Sequence, residues 1–392
     1  MVAAMSRTSS ALRTSLALLA LHSLLACDDG PAAGVDAADG PGIDAVATDA
    51  AVDARTLDAL GPHPEAGPPA VESLVFTPAG SARPNLALAY VDGAGHVRAY
   101  RRGASGWGAE DVTWVGGLPP DAAQVTPMRV IGSGLEIVVR RRTGELLRVR
   151  DSASWEIVNA TERAAAPLAG AAFAADDFRG GSIVFAADGA LQRITNVGFD
   201  NPTLSPIADA PAPTGAIGGP FDSKMIYAGP GGVPVTLADE RLTVLTGAPP
   251  MIGKGVVGWG VEGQQSVVYR TTGDRLVVGP TAGPMVDLPI AAPPPASDLN
   301  WGERRSLPMA LAVSYRTATG APVVLERTNT ADWTAVDLAA TAGAPAAVGS
   351  PVAHYDQNGD LMVGYFGADG HVHLVTRAGT TWTAADLGPS SL

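Results

Sequence analysis

The stretch Asn85-Leu-Ala-Leu-Ala-Tyr-Val-Asp-Gly-Ala-Gly-His-Val-Arg-Ala-Tyr100 decides how the chain is read. Two short apolar runs flank a tight turn containing Gly93 and Gly95. Runs of this length, bounded by Asp and Gly, are the sequence mark of a β-hairpin. The unit recurs six more times. Residues 135–142 and 146–150 flank Gly144, and 182–187 and 191–195 flank Gly189. Residues 224–228 and 233–238 flank Gly232, and 265–270 and 275–278 flank Gly273. The last two copies are 309–316 with 322–327 around Gly320, and 360–366 with 371–376 around Gly370. Successive glycines lie 41 to 50 residues apart, about 46 on average, so seven copies fill the 322 residues of 71–392.

A second marker runs with the first. Trp107, Trp155, Trp333 and Trp382 follow their glycines by 11 to 13 residues, and each opens another short run. Copies three to five lack this tryptophan. A strand also fits ahead of each pair, as at 350–355. Each repeat is thus four short strands, and a lone sheet of that size cannot bury both its faces. Radial stacking of repeats buries them and leaves only short edges. In this the chain resembles the β-propellers. The expected fold is all-β, a seven-bladed β-propeller of four-stranded blades over 71–392; two stacked β-sandwiches explain the period less well.

Composition agrees. Gly (47) and Pro (32) make up about a fifth of 392 residues, which favours turns over long helices. Aromatic residues are only 5%, so blade cores are expected from Ala, Val and Leu, with small residues near the crowded centre. The recurrent tryptophans are read as packing between blades. A net charge of −13 argues against a nucleic-acid partner, which needs clustered positive charge. No apolar run reaches the 18 or so residues of a membrane-spanning helix.

The first 70 residues read differently. Arg7 and Arg13 precede an eleven-residue apolar stretch at 16–26, the length of a signal-peptide core. It ends in Leu24-Leu25-Ala26-Cys27, which resembles the lipobox of bacterial lipoproteins, with Leu25 a mild departure. The resemblance implies a signal peptide over 1–26 and lipid attachment at Cys27, the only cysteine. Residues 28–70 carry nine carboxylates against Arg55, a net −8, and no aromatic residue. Such a segment buries too little apolar surface to offset its ordering entropy. It is expected to be a self-repelling tether, giving 27–70 as lipidated cysteine plus linker.

The repeats also carry family resemblances. The runs 376–382, 150–155 and 327–333 are similar to degenerate Asp-box turns of the neuraminidase type, placed between third and fourth strands. They depart at the Asp and Gly positions, so they imply the fold and not sialidase activity. A glycine turn followed by Trp also resembles the lectin-like propellers, which implies glycan binding.

Candidate chemistry is sparse. His96 and His371 occupy the same slot after their turns, and His371 and His373 share a face of one strand. Such imidazoles ligate metals or hydrogen-bond sugars, or simply sit at solvated turns. Asp356, Asn358 and Asp360 place oxygens at alternate positions, as at the start of a calcium loop. They depart from the EF-hand pattern, and the same residues are ordinary turn formers. Arg140, Arg141 and Arg142 form a basic spot, with Arg98, Arg101 and Arg102 in the neighbouring copy and several carboxylates close by in sequence. No hydrolase elbow, zinc-protease motif, phosphate loop or catalytic cysteine is present. The leading expectation is a non-enzymatic, lipid-anchored binding propeller of the bacterial cell envelope, periplasmic or surface-facing. It is expected to be a monomer and to recognise a glycan or an envelope protein. The alternatives are a sialidase-like propeller, with carboxylates and arginines converging at the central mouth, and a structural scaffold.

Overall fold

A computed structural model describes residues 74–391, with short breaks at 78–85, 104, 129–135, 152–154, 177–180, 199–200, 222–223, 239–240, 260–264, 305–308, 329–331 and 357. The leader, Cys27 and the tether lie outside the described residues. Each repeat forms one four-stranded antiparallel sheet from consecutive strands. Blade 1 is β1 (Val75–Thr77), β2 (Ala87–Val91), β3 (Val97–Gly103) and β4 (Gly106–Asp111). Blade 2 is β5 (Ala122–Pro127), β6 (Glu136–Arg141), β7 (Leu146–Asp151) and β8 (Trp155–Asn159). Blade 3 is β9 (Phe173–Asp176), β10 (Ser182–Ala187), β11 (Ala190–Thr195) and β12 (Thr203–Pro206). Blade 4 is β13 (Gly218–Phe221), β14 (Lys224–Ala228), β15 (Pro234–Ala238) and β16 (Arg241–Val244). Blade 5 is β17 (Met251–Trp259), β18 (Gln265–Thr271), β19 (Leu276–Pro280) and β20 (Val286–Asp287). Blade 6 is β21 (Asn300–Arg304), β22 (Ala310–Arg316), β23 (Pro322–Thr328) and β24 (Thr334–Asp337). Blade 7 is β25 (Ala347–Tyr355), β26 (Leu361–Gly367), β27 (His371–Ala378) and β28 (Thr381–Pro389).

The first strands touch in ring order, β1 to β5, β9, β13, β17, β21, β25 and back to β1, so they line the axis. The chain is therefore a closed seven-bladed β-propeller. Its apolar residues fall into seven core clusters, one at each blade interface. The alternation of side chains along a strand explains this. In β2, Ala87, Ala89 and Val91 pack toward blade 2, while Leu88 and Tyr90 pack toward blade 7. A strand buried on both faces reads as a continuous apolar run, which is why the second strands dominate the sequence pattern.

Small residues do crowd the centre. A Cβ on Gly218 of β13 would lie 1.8 Å from the Gly255 carbonyl oxygen of β17. Only glycine lets these two inner strands approach so closely. The tryptophans also behave as expected: Trp155 packs on the blade 1–2 core, Trp382 on the 6–7 core and Trp107 on the 7–1 core, while Trp333 is buried between blades 5 and 6.

The turn glycines follow from the way blades join. In blade 1 the Gly95 carbonyl accepts from Ala122 N–H at 2.9 Å, at the start of blade 2. Gly144 does the same with Ala169, and Gly320 with Ala347, both at 2.8 Å. The glycine thus marks where a turn docks on the segment entering the next blade. Three one-turn helices were not expected from the pattern: α1 (Val112–Gly116), α2 (Ala160–Arg163) and α3 (Leu338–Ala342). Asp111, Asn159 and Asp337 cap them, each accepting a backbone N–H through its side chain. They are too short to leave a helical period.

Candidate functional site

Burial decides which of the sequence candidates can meet a ligand. His96 is 5% exposed, so the expected accessible imidazole is instead part of a buried charge network. Its backbone N–H donates to Asp92 at 2.9 Å, and its Nδ1 lies 3.2 Å from an Arg98 nitrogen. Arg98 donates from Nε to Asp92 at 3.0 Å and pairs with Asp111 as well. Arg98 itself is 1% exposed and supplies no basic surface.

His371 and His373 do share a face, with ring centroids 6.4 Å apart and planes 22° from parallel. His373 is buried, stacks on Tyr365 and holds Asp369 at 2.9 Å through Nε2. His371 is exposed, with Nδ1 2.7 Å from Asp386. That hydrogen bond pushes the His371 imidazole above its ordinary range and holds the Asp386 carboxyl below its own. His96 belongs to a separate network from this pair.

Asp356, Asn358 and Asp360 form a hairpin turn between β25 and β26. Asp356 Oδ1 accepts from the N–H groups of Asn358 and Asp360 at 2.9 and 3.0 Å. Its Oδ2 accepts from Arg102 of blade 1 at 3.0 Å. Asp92 makes the same double acceptance in its own turn, with Ala94 and His96. The calcium-loop pattern is thus replaced by Asx turn chemistry. Among the described residues no three His, Cys, Asp or Glu side chains converge to hold a metal ion.

The three consecutive arginines point to different partners. Arg140 Nε donates to the Ala169 carbonyl at 2.9 Å, tying blade 2 to blade 3, and burial pushes its pKa down. Arg141 shares its Nε–H between the two carboxylate oxygens of Asp121, at 2.8 and 3.0 Å, and also pairs with Glu145. Arg142 reaches the Gly93 carbonyl of blade 1 at 3.3 Å. The expected basic patch is therefore distributed into separate pairings.

What the structure does assemble is a repeated station between blades. At the 1–2 interface Arg101 pairs with Asp151 across the blades, at 2.5 Å, and with Glu110 of its own blade. Its guanidinium carbon lies 4.9 Å from the Trp155 ring centroid. At the 6–7 interface Glu326 receives both nitrogens of Arg377 and the Tyr355 hydroxyl at 2.5 Å. Arg377 lies 5.4 Å from the Trp382 centroid. At the 7–1 interface Arg102 pairs with Asp356, and Trp107 lies opposite Arg102 across β3 and β4. Three successive interfaces thus hold a guanidinium, a carboxylate and an indole.

Two of the three stations obey the repeat. Arg101 and Glu326 both stand six residues after their turn glycines, and Asp151 and Arg377 both stand seven after theirs. The 6–7 station is the 1–2 station with its charges exchanged. Arg327 also stands seven residues after its glycine and lies 6.0 Å from the Trp333 centroid, but that indole is only 4% exposed. Sequence reading placed Arg101 and Arg102 in a basic spot and missed Glu326, Tyr355 and Arg377. A charge comparison between successive copies at the sixth and seventh positions would have found the pairs.

The arginines and indoles of these clusters lie on third and fourth strands, while Tyr355 ends the inner strand β25 and Asp356 follows it in the next turn. Each opposes positive charge with negative, so none forms a bare cationic site. Chemically each station offers planar N–H donors, carboxylate acceptors and a partly exposed apolar ring.

Fold and stations together define a seven-bladed propeller with polar and aromatic groups set between its blades. Among solved structures the chain is similar to the BP39L lectin from Burkholderia pseudomallei, with a TM-score of 0.59 and 16% identity over 82% of this chain and 99% of that one. It is also similar to the fucose-specific lectin from Aleuria aurantia, with a TM-score of 0.50 and 10% identity over 84% and 99% of the two chains. At these identities the likeness is one of fold. No family model and no curated protein matches the sequence.

Proposed function

We propose that the propeller is a non-catalytic recognition module for neutral carbohydrate, held at a bacterial envelope by lipid on Cys27. The observation that carries the reading is the run of guanidinium, carboxylate and indole across three successive blade interfaces. A sugar ring presents hydroxyls that accept from a guanidinium and donate to a carboxylate, and a C–H face that rests on an indole. Because each arginine already has an acidic partner, the stations suit an uncharged ligand better than an anion. That two lectins share the fold supports the reading.

The test is a glycan array with the full chain, followed by calorimetric titration of the best ligand. Wild type is expected to bind with at most three sites per chain, one for each station. Trp382→Ala and Arg377→Ala are expected to lose one site or weaken it tenfold or more, while Val115→Ala at the surface leaves binding unchanged. An empty array, or seven equal sites, would overturn the assignment.

A further inference from the structure

The seam between blades 7 and 1 is built unlike a shared-strand closure. Among the described residues every sheet consists of four consecutive strands, and none is contributed to blade 1 from blade 7. What crosses the seam instead is a short segment at and beyond the end of β28: Gly388, Pro389 and Ser390.

Elsewhere in the ring, two hydrogen bonds recur where one blade hands over to the next. The first runs from the incoming segment to the previous blade's turn glycine, as with Ala122 and Gly95, Ala169 and Gly144, and Ala347 and Gly320. The second runs from a second-strand tyrosine to a carbonyl of its own incoming segment. Tyr269 donates to Pro249 at 2.9 Å, and Tyr315 donates to Pro293 at 2.8 Å. At the seam, Ser390 supplies both. Its N–H and hydroxyl donate to the Gly370 carbonyl at 2.9 and 2.7 Å. Its carbonyl accepts from the Tyr90 hydroxyl at 3.0 Å. Tyr100 adds a donation to the Pro389 carbonyl at 2.8 Å.

The segment is bent and buried for this task. Gly388 has φ +119°, and a Cβ there would lie 3.0 Å from the Tyr100 hydroxyl. Ser390 is 3% exposed, and Tyr90 and Tyr100 are 0% and 2% exposed, with rings stacked 6.4 Å apart. A buried tyrosine hydroxyl is retained where it finds a partner, and both partners here are carbonyls of the last blade's tail.

We propose that Gly388, Pro389 and Ser390 form a clasp that imitates an inter-blade linker and closes the ring, so that the 7–1 seam is where the propeller opens when the clasp is lost. The apolar cluster at the seam and the Arg102–Asp356 pair hold the blades together, but the clasp supplies the backbone connection that every other interface receives from the continuous chain. Local opening at one seam exposes amides of blades 1 and 7 without unfolding the far side. The proposal stands whether or not the stations bind sugar.

Hydrogen exchange followed by mass spectrometry on the full chain tests it, comparing wild type with the Tyr90→Phe/Tyr100→Phe double variant and with Ser390→Pro. Loss of two net hydrogen bonds shifts an opening equilibrium by roughly tenfold or more. Exchange is expected to quicken by that factor in peptides spanning 87–103 and 361–378, with 224–238 of blade 4 unchanged. Unchanged exchange at the seam would overturn the proposal. So would a uniform rise over all seven blades, which would make these bonds ordinary contributors to global stability. Should Ser390→Pro fail to fold, the double variant, which removes only two hydroxyls, decides alone.

Discussion

Gly95 and Gly273 are both the marker glycine of their repeats, but only Gly95 sits at the left-handed position of its turn. Gly95 has φ +91°, and a Cβ on it would lie 2.9 Å from the Pro120 carbonyl oxygen. Gly273 has no such φ, and the neighbouring Asp274 takes the left-handed conformation at φ +56°. Asp tolerates that region better than most residues, so Asp274 takes the position that Gly95 holds in blade 1, and Gly273 stands one residue earlier, where blade 1 has Ala94. Gly95→Ala is therefore expected to destabilise by about 1–2 kcal/mol or more. Gly273→Ala is expected to stay within about 0.5 kcal/mol of wild type. Urea unfolding of the two variants checks the contrast, and equal losses would refute it. At this scale the sequence shows which residues make turns but not which atoms they spend. Asp356 has the residue type and spacing of a calcium ligand, and its hydrogen bonds go to its own turn and to Arg102. Arg98 counts as surface charge until the register of β3 and β4 sets it opposite Asp111 and buries it.

Between single residues and the ring stands the second strand of each blade, where in five of the seven blades a tyrosine stands five residues before the left-handed turn residue. Tyr90, Tyr227, Tyr269, Tyr315 and Tyr365 all occupy that slot and are all fully buried. Their rings do the same packing, but their hydroxyls do not. Tyr269 and Tyr315 donate to incoming proline carbonyls, whereas the buried hydroxyls of Tyr227 and Tyr365 have no hydrogen-bond partner among the described residues. Burial alone raises the Tyr227 pKa to about 12, so no ionised form compensates at neutral pH. Tyr315→Phe is expected to cost about 0.5–1.5 kcal/mol, the net worth of one hydrogen bond. Tyr227→Phe and Tyr365→Phe are expected to be neutral or stabilising, because they remove a buried polar group that lacks a partner. Denaturant midpoints of the three variants give the comparison, and a loss in all three equal to that of Tyr315→Phe would show that the slot is held by the hydroxyl rather than the ring. Strand positions were legible in the sequence because burial on both faces enforces an unbroken apolar run. The three capped helices were not, because one turn is too short to leave a period, and the interface pairs were not, because their partners lie 50 or more residues apart in sequence.

For the whole molecule, the period of about 46 residues sufficed to give the blade count, since a ring must close on a whole number of blades. The asymmetry of the ring was only half visible. The missing tryptophans of copies three to five marked those blades as different, and among the described residues the stations lie at the 6–7, 7–1 and 1–2 interfaces. The charge of the chain is asymmetric too, with the net −8 of residues 28–70 set ahead of the ring. A chain of 43 such residues reaches at most about 140–155 Å when fully extended, at roughly 3.3–3.6 Å per residue. A single acyl chain binds a bilayer only marginally, so stable retention needs the several chains that a lipidated, N-acylated cysteine carries. Cys27→Ala is accordingly expected to abolish incorporation of radiolabelled palmitate and to move the protein from the membrane fraction to the soluble one, with glycan binding by the ring unchanged. Labelling that survives the substitution would remove the anchor from the proposal and leave the propeller's recognition role to stand by itself.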